Sequence, residues 1–257
     1  MKVSSSLVLK VGQAYEGLGP LVKRLPNGIL HYDCQRWRNS VMSPMLLTSA
    51  RLTPRDLQKI AAYHRAPYLY DSKRPYVQFL GGSAGDNKAN HELLRRQGWT
   101  KQAYATQNTV NIWTRPIPLE LPKGIEMRVA RYFDPRVRRD FLKLMKANFN
   151  LTSLFLSELE KMHSLIEPRL RTVVLYNAKK TAVATGLVAV GKKGSHYLYC
   201  GSVAKQARGQ GLWRVLVAAR QAASLDGHAD STWVTTTANK RIRGKGDINC
   251  RMIVYQA

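Results

Sequence analysis

The stretch VAKQARGQGLWRVLVAARQAAS, Val203 to Ser224, restricts the fold more than any other part of the chain. An apolar, β-like run enters it, Gly209 and Gly211 sit inside it, and an amphipathic helix leaves it from about Gly211 to Leu225. The first N–H groups of a helix have no partner within the helix, and they carry the positive end of its dipole. Glycines at that point let the backbone approach a phosphate without a Cβ in the way. Arg208, Arg214 and Arg220 add positive charge nearby. The segment reads as a diphosphate cradle. The plainer alternative is a tight turn whose glycines only permit positive φ, but strand, glycines, arginine and helix coincide here.

The surroundings fall into two parts. TRPIPLELPKG, Thr114 to Gly124, holds three prolines and reads as a connector. We expect residues 1–115 and 124–257 to form two halves, with 116–123 between them. After the connector, IEMRVARY alternates like a strand, and Asp134 followed by Pro135 marks an N-cap and first helical position. A second helix ends near Pro168. Three strands follow, turned at Asn177–Lys180 and Gly191–Ser195, then the glycine turn, its helix and the strand DSTWVTTTAN. The expected order is β-α-α-β-β-β-α-β. Before the connector, PNG at Pro26–Gly28 suggests a hairpin turn, SPMLLTSARL a strand, Thr53–Pro54 a helix start, YVQFLGG a strand, and NKANHELLRRQGW a helix ending at Gly98. TKQAYATQNTVNIW reads as one strand or two. Both halves share the order β-β-α-β, a weak internal repeat.

The second half resembles the GCN5-related N-acetyltransferase (GNAT) family over roughly residues 124–239. That family's signature is a strand ending in Val, then Arg/Gln-x-x-Gly-x-Gly/Ala and a helix. This chain has Val203, four residues, then Arg208-Gly209-Gln210-Gly211-Leu212-Trp213. Trp213 departs from the family's Gly or Ala; the alternative register, Gln206-x-x-Gly209-x-Gly211, spaces the valine worse. The resemblance implies an α/β (α+β) fold, a mixed, mostly antiparallel sheet flanked by helices, in two similar halves. It also implies acetyl-CoA as cosubstrate. Ser202, Val203 and Ala204 match the strand that holds the pantetheine arm. The amides of Arg208, Gly209, Gln210, Gly211, Leu212, Trp213 and Arg214 match the diphosphate site, and Asn239 matches a cofactor-facing asparagine.

Beyond Asn239 the match stops. NKRIRGKGDINCRMIVYQA is basic and short, with no Gly-aromatic pair and no room for a last strand, and the family's tyrosine acid falls on Gly246. The missing signature stands in the first half instead, where Asn87 precedes Gly98-Trp99. That half reads as a degenerate GNAT-like half without phosphate-binding glycines. Amine acetylation needs a base, an oxyanion donor and an acid. His196 and Tyr199, on the strand before Val203, are the catalytic candidates. Tyr255 is a second choice of acid, and Glu167 a base acting through water. No metal is expected: Cys34, Cys200 and Cys250 are far apart, with no zinc-like spacing.

Lys and Arg number 41 against 16 Asp and Glu, a net charge of +25, which suits a polyanionic partner such as RNA, DNA or an acidic protein. Arg136, Arg138, Arg139, Lys143 and Lys146 crowd one helix, and Lys240, Arg241, Arg243 and Lys245 crowd the tail. No apolar run is long enough to span a bilayer, so a membrane is not an expected partner. With no secretory core at the start, the expected location is cytoplasmic. Two functions fit: an N-acetyltransferase acting on a primary amine of a macromolecular acceptor, or a GNAT-like module without turnover that binds nucleic acid or protein by charge.

Overall fold

In a computed structural model of the chain, the structure describes residues 3–16, 22–24, 30–32, 45–47, 51–64, 76–102, 109–149, 151–153, 156–157, 160, 163–164, 169–225, 231–237 and 244–256. In chain order the elements are α1 (Ser5–Glu16), β1 (Val22–Arg24), β2 (Leu30–Tyr32), β3 (Met45–Leu47), α2 (Pro54–His64), β4 (Tyr76–Leu80), α3 (Lys88–Arg96), β5 (Thr100–Lys101), β6 (Thr109–Trp113), β7 (Glu126–Arg131), α4 (Pro135–Phe149), β8 (Leu170–Tyr176), β9 (Ala182–Ala189), β10 (Ser195–Val203), α5 (Leu212–Ala222), β11 (Thr232–Thr237) and β12 (Ile248–Gln256). The described parts of the stretch after Thr152 are helical as well. The chain divides into two compact units: Met1–Glu16, Pro20–Ile112 and Thr236–Ala257 in one, Gly17–Gly19 and Trp113–Thr235 in the other.

In the first unit the strands run β1-β2-β3-β4-β12-β6. β3 and β4 are parallel on either side of α2 in sequence, and the other pairings are antiparallel. Leu52, Leu57, Val77, Phe79, Leu94, Trp99 and Tyr255 form its core. Helix α1 was not expected from the sequence. Ser4 starts it, accepting from the Leu7 N–H at 3.3 Å, and Val8, Val11 and Ala14 bury one face.

The tail supplies one strand. Residues 248–256 form a full strand, and it pairs with β4 and β6 rather than with strands of the second half. Its alternation suits it to that place: Cys250, Met252 and Val254 are buried while Arg251 is exposed. Gly246 precedes it because a Cβ there would stand 2.7 Å from the Ile112 backbone nitrogen. The Asn87…Gly98-Trp99 pattern also has a local cause. Asn87 caps α3 by accepting from the Asn90 N–H at 2.9 Å. Gly98 has φ +80, and the Trp99 N–H closes the helix on the Leu94 carbonyl at 2.9 Å, with Leu94 and Trp99 sharing the core.

In the second unit the strands run β11-β10-β9-β8-β7. β10 and β11 are parallel, joined through α5, and the rest are antiparallel. Asp134 caps α4, its Oδ1 accepting from the Val137 N–H at 3.0 Å. Asn177 shapes the β8–β9 turn by accepting from the Lys179 and Thr181 N–H groups at 3.1 and 3.0 Å. Leu144 of α4 and Leu212, Leu216 and Ala219 of α5 pack with Val173, Leu175, Val183 and Ala184. The proline-rich connector is held too, since the Ile117 N–H donates to Gln221 Oε1 at 2.7 Å. Each unit thus places one parallel β-α-β step in an otherwise antiparallel sheet.

Candidate coenzyme site

Gly209 and Gly211 have φ of +84 and +74, the left-handed region that glycine enters without strain. Gly211 is the N-cap of α5. A Cβ at either position would meet nothing within 4 Å, so the conformation requires glycine and the space outside it is open. Arg208, Gly209, Gln210 and Gly211 are exposed. The N–H groups of Gly209, Gln210, Gly211, Leu212 and Trp213 have no backbone acceptor among the described residues. Five donors at the positive end of an 11-residue helix favour an anion. An acetyl-CoA diphosphate fits these donors, with Arg208 and Arg214 exposed beside them.

The strand that leads into the cradle is irregular. Tyr199 stands opposite Leu187 and Ser202 opposite Thr185, so β10 carries one extra residue, a bulge at which Cys200 takes φ +50. The ladder to β11 covers Ser195–Tyr197 against Thr232–Val234, and no pairing extends it among the described residues. That ladder ends just before the bulge. Past it, the Ala204 N–H donates to the Val183 carbonyl on β9 at 2.8 Å. Backbone groups alternate between the two edges of a strand, so Val203 turns its N–H and C=O away from β9. Its carbonyl accepts from Arg208 Nε at 3.2 Å and Asn148 Nδ2 at 3.3 Å. Asn148 also donates to Ser202 Oγ at 2.6 Å and accepts from Arg208 Nη2 at 3.3 Å. It ties α4, the end of β10 and the cradle together, a role no short motif in the sequence announces.

Trp213 does not obstruct the cradle, because its indole turns inward. A Cβ on Gly201 would stand 2.8 Å from two of its ring carbons. The indole also faces the guanidinium of Arg220, 5.3 Å from the ring centre. Burial lowers the pKa of Arg220 to about 9.

The candidate catalytic groups are spread. His196 is fully buried on the paired part of β10, its ring 6.0 Å from that of Trp233. Tyr199 stands at the bulge, stacked 5.9 Å from Tyr197. His163, which the sequence reading passed over, lies 5.7 Å from the Tyr199 ring and 4.4 Å from that of Tyr132. Neither of its ring nitrogens has a hydrogen-bond partner among the described residues, and burial lowers its pKa to about 3. Its only sequence signal was helical spacing with Leu156 and Glu160. Burial first, then the charge of Glu160, holds the Tyr132 phenol well above its ordinary range. Tyr255 lies in the first unit's core. Asn239 and Glu167 fall outside the described residues. A cleft of about 430 Å³ opens beside the site, bounded by Asp140, Lys143, Asn148, Lys180 and Lys205. Among the described residues no three His, Cys, Asp or Glu side chains stand close enough to hold a metal, and no helix is long and apolar enough to cross a membrane.

Comparison with known proteins places this architecture. No protein-family model matches the sequence, and no curated protein matches it. Among solved structures, a GCN5-related N-acetyltransferase from Kribbella flavida superposes with a TM-score of 0.64 at 11% identity, over 98% of this chain and 96% of that one. A tandem GNAT protein from the clavulanic acid biosynthesis pathway gives 0.57 at 13%, over 84% and 75%. A GCN5-related N-acetyltransferase from Sphaerobacter thermophilus gives 0.54 at 14%, over 90% and 78%. At these identities the likeness is one of fold: the chain has the GNAT fold, a mixed and mostly antiparallel sheet flanked by helices, over nearly its whole length.

Proposed function

We propose that the chain is an acetyl-CoA-dependent N-acetyltransferase, acting in the cytoplasm on a primary amine of a macromolecular acceptor associated with nucleic acid. The observation that carries the reading is the row of five amides at Gly209–Trp213 without a backbone acceptor among the described residues, set after a bulged strand. In this reading Ser202, Val203 and Ala204 hold the pantetheine arm. The amides from Arg208 to Arg214 hold the diphosphate, and Asn239 faces the coenzyme. Tyr199, at the bulge, is the proton donor to sulfur. The base in this reading is His196. Bound acetyl-CoA supplies an activated acyl group; the chain orients it and excludes water. Residues 1–115 act as a degenerate half, with no phosphate-binding glycines in its strand-to-helix step MLLTSARLTPRDLQKIAAYHRA. The exposed Arg139, Lys143 and Lys146 of α4, with a net charge of +25, favour a polyanionic acceptor.

Thiol release from acetyl-CoA over a panel of amines, including aminoacyl-tRNA and basic ribosomal proteins, tests the reading. Acceptor-dependent release supports it. Coenzyme binding with no release from any acceptor favours the second function, a module of the same fold without turnover.

A further inference from the structure

An uncompensated buried charge is costly, and apolar side chains of similar volume fill such places at no loss. The second unit nevertheless buries a guanidinium completely. Arg220 on α5 has no exposed surface. Its Nε donates to the Leu216 carbonyl at 3.2 Å, its Nη1 reaches the Tyr199 carbonyl at 3.5 Å, and its Nη2 has no acceptor. No carboxylate pairs with it among the described residues. Two glycines on neighbouring strands make its room. A Cβ on Gly186 of β9 would stand 3.0 Å from its Cδ, and one on Gly201 of β10 would stand 3.1 Å from its Nη1. Trp213 covers the guanidinium from its own helix.

The titratable group nearest to it, the Cys200 thiol, offers no counter-charge, since burial pushes its pKa up to about 12. The other titratable groups at the bulge are Tyr199, whose carbonyl Nη1 reaches, Tyr197 stacked on it, His163 beyond its ring, and Tyr132, which packs on His163 and feels the charge of Glu160. Gly201 belongs to the bulge of β10. Because Gly201 has no side chain, the guanidinium lies directly against the β10 backbone at the bulge, on the strand along which the proposed coenzyme lies.

Resting on the acetyl-transfer reading, we propose that Arg220 is the fixed cation that stabilises the negative charge collecting on the coenzyme's sulfur during transfer, acting through the β10 backbone at the bulge. The acceptor nitrogen's lone pair forms the C–N bond, the C–S bond breaks, and its electron pair goes to sulfur. The proton lost from nitrogen matches the one sulfur finally takes up. A buried cation lowers the cost of the charged sulfur before that proton arrives.

The test is the ionisation of coenzyme A bound to the full chain, read from thiolate ultraviolet absorbance against pH, as a difference from the protein alone. The bound thiol should ionise about 10–100-fold more readily than a free thiol, whose pKa is about 8.5 or above. Arg220→Met keeps the volume and removes the charge. It should return the thiol to its free value, lower kcat by a similar factor, and leave acetyl-CoA affinity and KM unchanged. A merely structural role would instead weaken acetyl-CoA binding and leave no thiol shift to lose. A bound thiol that titrates as free in the wild type overturns the proposal, whether or not the variant folds. A wild type that binds no coenzyme overturns the acetyl-transfer reading itself, and this inference with it.

Discussion

Replacing Gly201 with alanine adds one methyl group at a crowded point of the second unit. That Cβ would stand 2.8 Å from Cη2 and Cζ3 of Trp213 and 3.1 Å from Nη1 of Arg220. The φ of Gly201 is not positive, so the backbone itself accepts alanine, and the overlap acts alone. The indole is held in place because it packs against two of the unit's apolar clusters. Overpacking of this kind costs about 1–3 kcal/mol. For a chain of this size that corresponds to a fall in Tm of roughly 2–12 °C. Scanning calorimetry measures it directly. Trp213→Leu removes the two contacting carbons, and in that background Gly201→Ala should cost at least about 1 kcal/mol less. Equal cost in both backgrounds, or an unchanged Tm for Gly201→Ala alone, would refute the packing of Trp213 and Arg220 beneath the bulge.

Asn148→Ala removes the bonds to Ser202 Oγ and the Val203 carbonyl and should cost about 1–2 kcal/mol in urea unfolding. Gly211→Ala introduces strain of about 1 kcal/mol at φ +74, with no clash, so stability should fall modestly. The carboxyl of Asp134 is held below its usual 3.8, first by the Val137 N–H and then by Arg128. The charged form is therefore favoured in the folded state: its contribution is full above 3.8 and is lost as pH falls through the lower folded value. The stability difference between wild type and Asp134→Ala, followed by acid titration of thermal unfolding, should shrink across that interval. If a polyanionic acceptor docks on the α4 face, RNA retention should weaken steeply with salt, and salt-independent retention would remove that part of the account.

Local chemistry explains why so much of the second unit was legible. The Asp134–Pro135 helix start, the Asn177 turn and the glycines before α5 are all devices that act within a few residues of themselves. The bulge was not legible, because it exists only as a register shift between β10 and β9. Nor was the fate of Trp213, since whether that indole fills the cradle or the core depends on a glycine twelve residues earlier. The pairing of the tail was illegible for a related reason. Its strand is complete, but its partners are strands more than 130 residues away in sequence, and nothing in its own letters names them. Asn87 and Gly98-Trp99 matched a family signature while serving as caps of α3. His163 gave no signal beyond its place on a helical face, and its aromatic surroundings come from three separate elements.

The most direct measurement is titration calorimetry of acetyl-CoA into the wild-type protein and into Gly211→Asp, with both shown to melt cooperatively. A carboxylate at that turn sets a negative charge among amides offered to phosphate. Saturable one-to-one heat from the wild type, weakened at least about tenfold in the variant, is the predicted result. No heat from the wild type, or equal affinity in the two proteins, would contradict it.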